Sequence, residues 1–109
     1  MDCRELMECV FDINDNDIKL YKFLIGKQMK VEDIAKIFKK DRSTIQRSLK
    51  KLSDCMLVER EKKIIDKGGY YYIYTAVPPS EAKNLIKICL NNWYEKMIDA
   101  VENFEKDFR

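Results

Sequence analysis

Histidine is missing from this sequence of 109 residues, glycine occurs three times and proline twice. The first absence removes the commonest general base, so no Ser–His or Cys–His pair can form, and it removes half the usual ligand set of a zinc site. Gly26, Gly68 and Gly69 are too few and too scattered for a glycine-rich phosphate loop. Cys3, Cys9, Cys55 and Cys89 contain no C-x-x-C pair. They read as buried or incidental thiols of a reducing compartment, with Cys3 and Cys9 as a redox-sensing pair the alternative. No metal, no cofactor and no enzymatic activity are expected. No run approaches the ~20 apolar residues of a membrane span. The N-terminus, MDCRELMECVFDIND, is acidic and too polar for a signal-peptide core. The expected setting is the cytoplasm, with no membrane partner.

Hydrophobic residues make up 46% of the chain and charged residues 37%, a globular composition with length for one domain and an added element. The net charge of +2 hides an uneven distribution. Residues 27–51 carry nine Lys and Arg against three Asp and Glu, a local +6, whereas residues 1–26 net −3 and residues 52–109 net −1. A basic block inside an acidic or neutral chain implies a local anionic partner.

Leu6, Val10 and Phe11 recur at helical spacing in a first helix from about Asp2, its candidate N-cap, to Phe11. The cluster NDND at 14–17 offers a second cap. Behind it Ile18, Leu20, Tyr21, Phe23, Leu24 and Ile25 read as a mostly buried helix that stops at Gly26. KVEDIAKIFKK is a short helix with Val31, Ile34, Ala35 and Phe38 on one face. Asp41 then caps a further helix, DRSTIQRSLKKL, after a tight turn at 39–41. LVEREKKII, DKGG and YYYIYTAV read as strand, turn and strand. After Val77-Pro78-Pro79 a long helix runs from Ser80 to about Phe108. The fold class expected is mainly α with a β-hairpin wing, a winged helix-turn-helix plus a long C-terminal helix. Residues 1–77 are expected to form the winged-helix domain with its N-terminal helix, the candidate DNA-binding part on the strength of its basic block, and residues 78–109 a C-terminal dimerisation helix.

In DRSTIQRSLKKL, Ile45, Ser48, Leu49 and Leu52 fall on one side, and Ser43, Gln46, Arg47 and Lys50 on the other, with Arg42 at the border. The second helix of a helix-turn-helix enters the DNA major groove, where long Arg and Gln side chains suit guanine and adenine edges. Arg42, Gln46 and Arg47 are candidates for base edges. Ser43, Thr44, Lys50 and Lys51 are candidates for phosphates, and Lys62, Lys63 and Lys67 of the hairpin for a neighbouring backbone or minor groove. The long helix carries more apolar surface than a small core can cover. Leu85, Cys89, Trp93, Met97, Val101 and Phe104, with Leu6, Val10 and Phe11, are therefore the expected contacts to a second copy of the chain.

The stretch DIKLYKFLIGKQMKVEDIAKIFKKDRSTIQRSLKKLSDCMLVERE resembles the winged-helix domain of the MarR and TrmB types of prokaryotic, notably archaeal, transcriptional regulators. The resemblance runs from about Ile13 to Val77. Its most specific pieces are D-R-S-T-I at the start of the recognition helix and L-x-x-x-M-L-V-E-R leading into the wing. It implies a homodimer that binds double-stranded DNA, with the terminal helices as the dimer contact. Met56 stands where such proteins usually have glycine, a position that wants φ > 0. A separate effector domain of the full-length TrmB kind is not expected within these residues, and no polar constellation names a small-molecule effector. The alternative is a winged helix used as a protein-interaction module of transcription or replication machinery.

Overall fold

A computed structural model describes residues 3–107. Seven elements follow one another: α1 (Cys3–Asp12), α2 (Asp15–Leu24), α3 (Val31–Phe38), α4 (Arg42–Asp54), β1 (Val58–Ile64), β2 (Tyr70–Ala76) and α5 (Pro79–Asp107). The Asp2 cap and the Phe108 end expected from the sequence lie outside the described residues. The architecture is a winged helix-turn-helix carrying a long C-terminal helix.

Local chemistry sets each boundary. Asn14 and Asp17 form a reciprocal capping box at the start of α2, each side chain accepting from the other's backbone N–H. Gly26, at φ +74°, takes the chain out of α2. Helix α3 ends at Lys39 in the left-handed region, where Lys40 N–H reaches back to the Ala35 carbonyl. Two residues later Asp41 caps α4 by accepting from Thr44 N–H at 3.3 Å. The turn between α3 and α4 therefore lies at 39–41, as expected.

The core is the meeting of α2, α3, α4 and the base of the hairpin. Leu24, Ile34 and Leu52 have no exposed surface, and Leu20, Ile45 and Leu49 are almost as covered. Val58, Tyr74 and Ala76 close the group from the sheet. Helix α2 is less enclosed than its composition suggests. Only Leu20 and Leu24 are fully buried among its apolar residues; Tyr21 and Phe23 are half-buried, and Ile18 is exposed. A ten-residue helix against one layer buries one stripe, whatever occupies the other side.

The two strands pair antiparallel from Val58↔Ala76 to Ile64↔Tyr70. The connection between α2 and α3 adds a short third edge, with Met29 and Tyr74 exchanging backbone hydrogen bonds at 3.0 and 2.8 Å. Helix α1 packs along α5 and over the end of α4, with Leu6 buried beneath it.

The cysteines depart from the free-thiol expectation. Cys9 of α1 is joined by a disulfide to Cys55 at the C-cap of α4, with Cα atoms 5.4 Å apart. A Cys3–Cys9 pair is thereby replaced by one that spans 46 residues, because α1 crosses the end of α4. Cys89 of α5 is buried and is also disulfide-bonded.

Helix α5 has 29 residues, roughly 43 Å at ~1.5 Å per residue. The radius of gyration is 18.4 Å, against about 13 Å for a compact chain of this length, so α5 reaches well past the core. No helix of the described residues is long and apolar enough to cross a membrane.

Candidate nucleic-acid interface

Helix α4 divides along its length as its sequence dictates. Ile45, Leu49 and Leu52 are buried, and Ser43, Gln46, Arg47 and Lys50 are exposed, with Arg42 exposed in the first turn. Because i, i+3 and i+4 positions are neighbours on a helix, these polar groups form one continuous strip.

Two anchors hold that strip in place. Asp41 accepts from both the backbone N–H and the hydroxyl of Thr44, and Arg47 Nη2 lies 3.4 Å from the same hydroxyl. The Thr44 hydrogen bonds, with the Arg47 charge nearby, hold the Asp41 carboxyl below its ordinary value. The second anchor is the buried Asp17 of α2, which accepts from the Ser48 hydroxyl and, at 2.9 Å, from Lys51 Nζ. Burial by itself would raise the Asp17 carboxyl. The bonds from Ser48, Lys51 and Asn14 N–H, with the Lys51 charge, outweigh burial and hold it below the usual range. The hydrogen bond to Asp17 holds the Lys51 ammonium above its ordinary value, opposed by desolvation and aided by the charges of Asp17 and Asp12.

These contacts sort the residues singled out in the sequence. Gln46, Arg47 and Lys50 stand together with Ser43 on the exposed strip. Arg42 flanks it, with its guanidinium 3.2 Å from Glu32 of α3, an exposed pair of small energetic weight. Thr44 is half-buried in the cap, and Lys51 is turned toward Asp17 and Asp12, away from the strip. Thr44 thus bonds within the cap of α4, and Lys51 ties α4 to α2 and α1.

In the hairpin, strand alternation separates Lys62 from Lys63. Lys63 pairs with Glu61 at 3.0 Å, Lys62 sits over the Tyr70 ring, and Lys67 is exposed in the turn. Arg60, over Tyr72, escaped the sequence reading, although period two places it on the same face as Lys62.

The residues expected at a dimer contact also divide. Leu6 and Cys89 are buried within the subunit, and Val10 and Leu85 are half-buried. Phe11, Trp93, Met97, Val101 and Phe104 are exposed, Phe11 to 82%. Leu90, Tyr94 and Ile98 join them, although they were not singled out in the sequence. Leu90, Tyr94, Met97, Val101 and Phe104 follow one another at spacings of four, three, four and three, the repeat of a helix–helix seam. Among the described residues no cluster of Cys, Asp and Glu could hold a metal ion.

Comparison with known proteins places this geometry. Residues 7–80 match the family model of the sugar-specific transcriptional regulator TrmB. The uncharacterized protein MJ1503 of Methanocaldococcus jannaschii is 42% identical over 101 residues, 92% of this chain and 76% of its own. A second uncharacterized protein of that organism, MJ1082, is 34% identical over 94 residues, 85% of this chain and 78% of its own. Among solved structures, a Methanosarcina mazei Go1 protein described as a possible transcriptional regulator is similar with a TM-score of 0.72 and 25% identity. It covers 94% of this chain and 88% of its own. The ST1889 protein of the thermoacidophilic archaeon Sulfolobus tokodaii shares the fold, with a TM-score of 0.59 and 24% identity over 86% of this chain and 93% of its own.

Proposed function

The chain belongs to the TrmB family of transcriptional regulators, and from that premise we propose that it binds double-stranded DNA sequence-specifically as a homodimer. The observation that carries the reading is the exposed strip of α4, where Gln46, Arg47 and Lys50 lie side by side on a helix fixed from behind by Asp17. Arg47 and Gln46 reach base edges in the major groove, with Arg42 at the flank; Ser43 and Lys50 meet phosphates. Lys62 and Lys67 extend the contact from the hairpin.

The dimer is assigned to the seam Leu90, Tyr94, Met97, Val101 and Phe104, with Trp93 beside it. A row of apolar side chains on a projecting helix has no use in a single subunit, and a second copy covers it by the same repeat. The lobe of residues 1–77 is then the DNA-binding part and residues 78–109 the dimer element, with α1 bridging them. The cytoplasm is the compartment such a role requires.

Fluorescence anisotropy of a labelled duplex from upstream of the protein's own coding sequence tests the reading, with a scrambled duplex as control. Arg47→Ala costs ~1–3 kcal/mol on the preferred duplex and little on the scrambled one if the arginine reads a base. Equal weakening on both assigns it to phosphate alone. If the wild type binds neither duplex, DNA binding is wrong, and the exposed α5 seam points to a protein-interaction module instead.

A further inference from the structure

The hairpin has two unlike faces. The register Arg60↔Tyr74, Lys62↔Tyr72 and Ile64↔Tyr70 puts Arg60 and Lys62 on the face of the three even-numbered tyrosines. Glu59, Glu61 and Lys63 share the other face with Tyr71, Ile73 and Thr75. One face thus carries two cations and no acid. On the other, Lys63 is neutralised by Glu61, and the remaining acid, Glu59, is matched in number by Lys30 of the α2–α3 connection, whose ammonium lies 4.1 Å from the Tyr71 centroid.

The cationic face is braced. Tyr74 is buried in the core, and from it a row of rings runs outward, Tyr74 to Tyr72 at 6.5 Å and Tyr72 to Tyr70 at 5.6 Å, the latter edge to face. Each cation leans one ring toward the tip. Arg60 stands opposite Tyr74, but its guanidinium lies 4.3 Å from the Tyr72 centroid; Lys62 stands opposite Tyr72, but its ammonium lies 4.1 Å from the Tyr70 centroid. These distances are within the range of cation–π attraction, and a ring holds the cation without neutralising its charge. A carboxylate partner, such as Glu61 for Lys63, does neutralise it.

We propose that Tyr70 and Tyr72 are positioning residues that hold Arg60 and Lys62 ordered for the phosphates of a bound duplex, so that the Arg60–Lys62 face of the hairpin meets DNA and the Lys63 face does not. A long cationic side chain ordinarily gives up rotamer freedom on docking. Here much of that freedom is already lost in the free protein, while the charge remains available. The proposal rests on the DNA-binding reading above and adds Arg60 to the contact set while removing Lys63 from it.

The test uses the full chain and the labelled upstream duplex across a salt series, with circular dichroism to confirm that each variant is folded. Arg60→Ala and Lys62→Ala, each removing one phosphate contact from both subunits of the dimer, lower the magnitude of the slope of log affinity against log salt by about 2, whereas Lys63→Ala leaves it unchanged. Tyr70→Leu, at a residue more than half exposed, weakens binding about 2- to 5-fold, and Tyr70→Phe, which keeps the ring, restores wild-type binding. Tyr72→Leu behaves likewise if it folds, and Tyr70 decides the matter if it does not. Wild-type affinity in Tyr70→Leu, or equal slope changes for Lys62→Ala and Lys63→Ala, overturns the proposal while leaving DNA binding intact. A wild type that binds no duplex removes both.

Discussion

The lobe built from α2, α3, α4 and the hairpin and the outer half of α5 obey opposite rules. In the lobe, Leu24, Ile34 and Leu52 have no exposed surface, a buried Asp17 has its hydrogen bonds made, and a disulfide ties the end of α4 to α1. Along α5 every described side chain from Leu90 onward is exposed, including Trp93 at 50% and Phe104 at 62%. Apolar residues are abundant in both regions. What separates them is whether a second layer exists to receive those residues. The lobe has that layer within the subunit, and the outer half of α5 does not.

The largest expected effect lies where the lobe is covalently tied to α1. A Cys9–Cys55 bridge of sequence separation 46 removes enough freedom from the unfolded chain for about 4 kcal/mol of stability in the chain-entropy account. Denaturant unfolding of a Cys9→Ala/Cys55→Ala variant is expected to show a loss of about that size. A loss below about 1 kcal/mol would show that the packing of α1 on α4 and α5 already does the work of the bridge.

Next is a direct contrast between the regions. Leu52→Ala opens a cavity in the lobe and is expected to cost about 3 kcal/mol. Val101→Asp, on a side chain 66% exposed, is expected to leave lobe unfolding nearly unchanged at a concentration where the chain is monomeric, and to shift sedimentation from dimer to monomer. A large loss of monomer stability in Val101→Asp would break the comparison.

Asp17 gives the lobe a pH signature. Its carboxyl is held below its ordinary value of 3.8, so the unfolded chain takes up a proton first as pH falls. Stability from Asp17 is therefore fully present above about pH 5 and is lost as pH drops through 3.8 toward the lower folded value. Asp17→Asn is expected to cost about 2 kcal/mol at neutral pH and to flatten the thermal midpoint between about pH 5 and 2. An unchanged acid limb in the variant would assign it to other carboxylates.

How much of this was legible in the sequence depends on how far each contact reaches along the chain. The two sides of α4, the Asp41 cap and the turn at 39–41 are local, and residue spacing revealed them. The Cys9–Cys55 bridge, the Met29–Tyr74 pairing and the Asp17–Lys51 pair join residues 34 to 46 positions apart, and no period in the sequence marks them. Lys51 was therefore read from its place in the basic helix alone, without the Asp17 partner that turns it toward α2. Arg60 is a different case. Alternation along β1 would have separated Lys62 from Lys63 and joined Arg60 to Lys62, so the signal was present and local. On α5 the apolar row was plain. Which of its members the subunit covers depends on where α1 lies, and that again is a long-range fact.

The smallest effect concerns the junction where the recognition helix hands over to the hairpin. Cys55 is the C-cap of α4, Met56 follows at φ +60°, and Leu57 N–H then returns to the Leu52 carbonyl at 2.9 Å. The resemblance to regulators with glycine at this place implied a positive φ, and the backbone has it despite the methionine. A side chain in the left-handed region costs ~1–2 kcal/mol, because Cβ crowds the following carbonyl. The Met56 side chain is 46% exposed and gives back only part of that by burial. Glycine removes the crowding but adds freedom to the unfolded chain, worth roughly 0.5–1 kcal/mol. Met56→Gly is thus expected to stabilise the lobe by up to about 1 kcal/mol, read as a rise in the denaturant midpoint at constant slope. A fall would mean that Met56 packs at the hairpin base more tightly than its exposure indicates, and that this contact outweighs the crowding of its left-handed backbone.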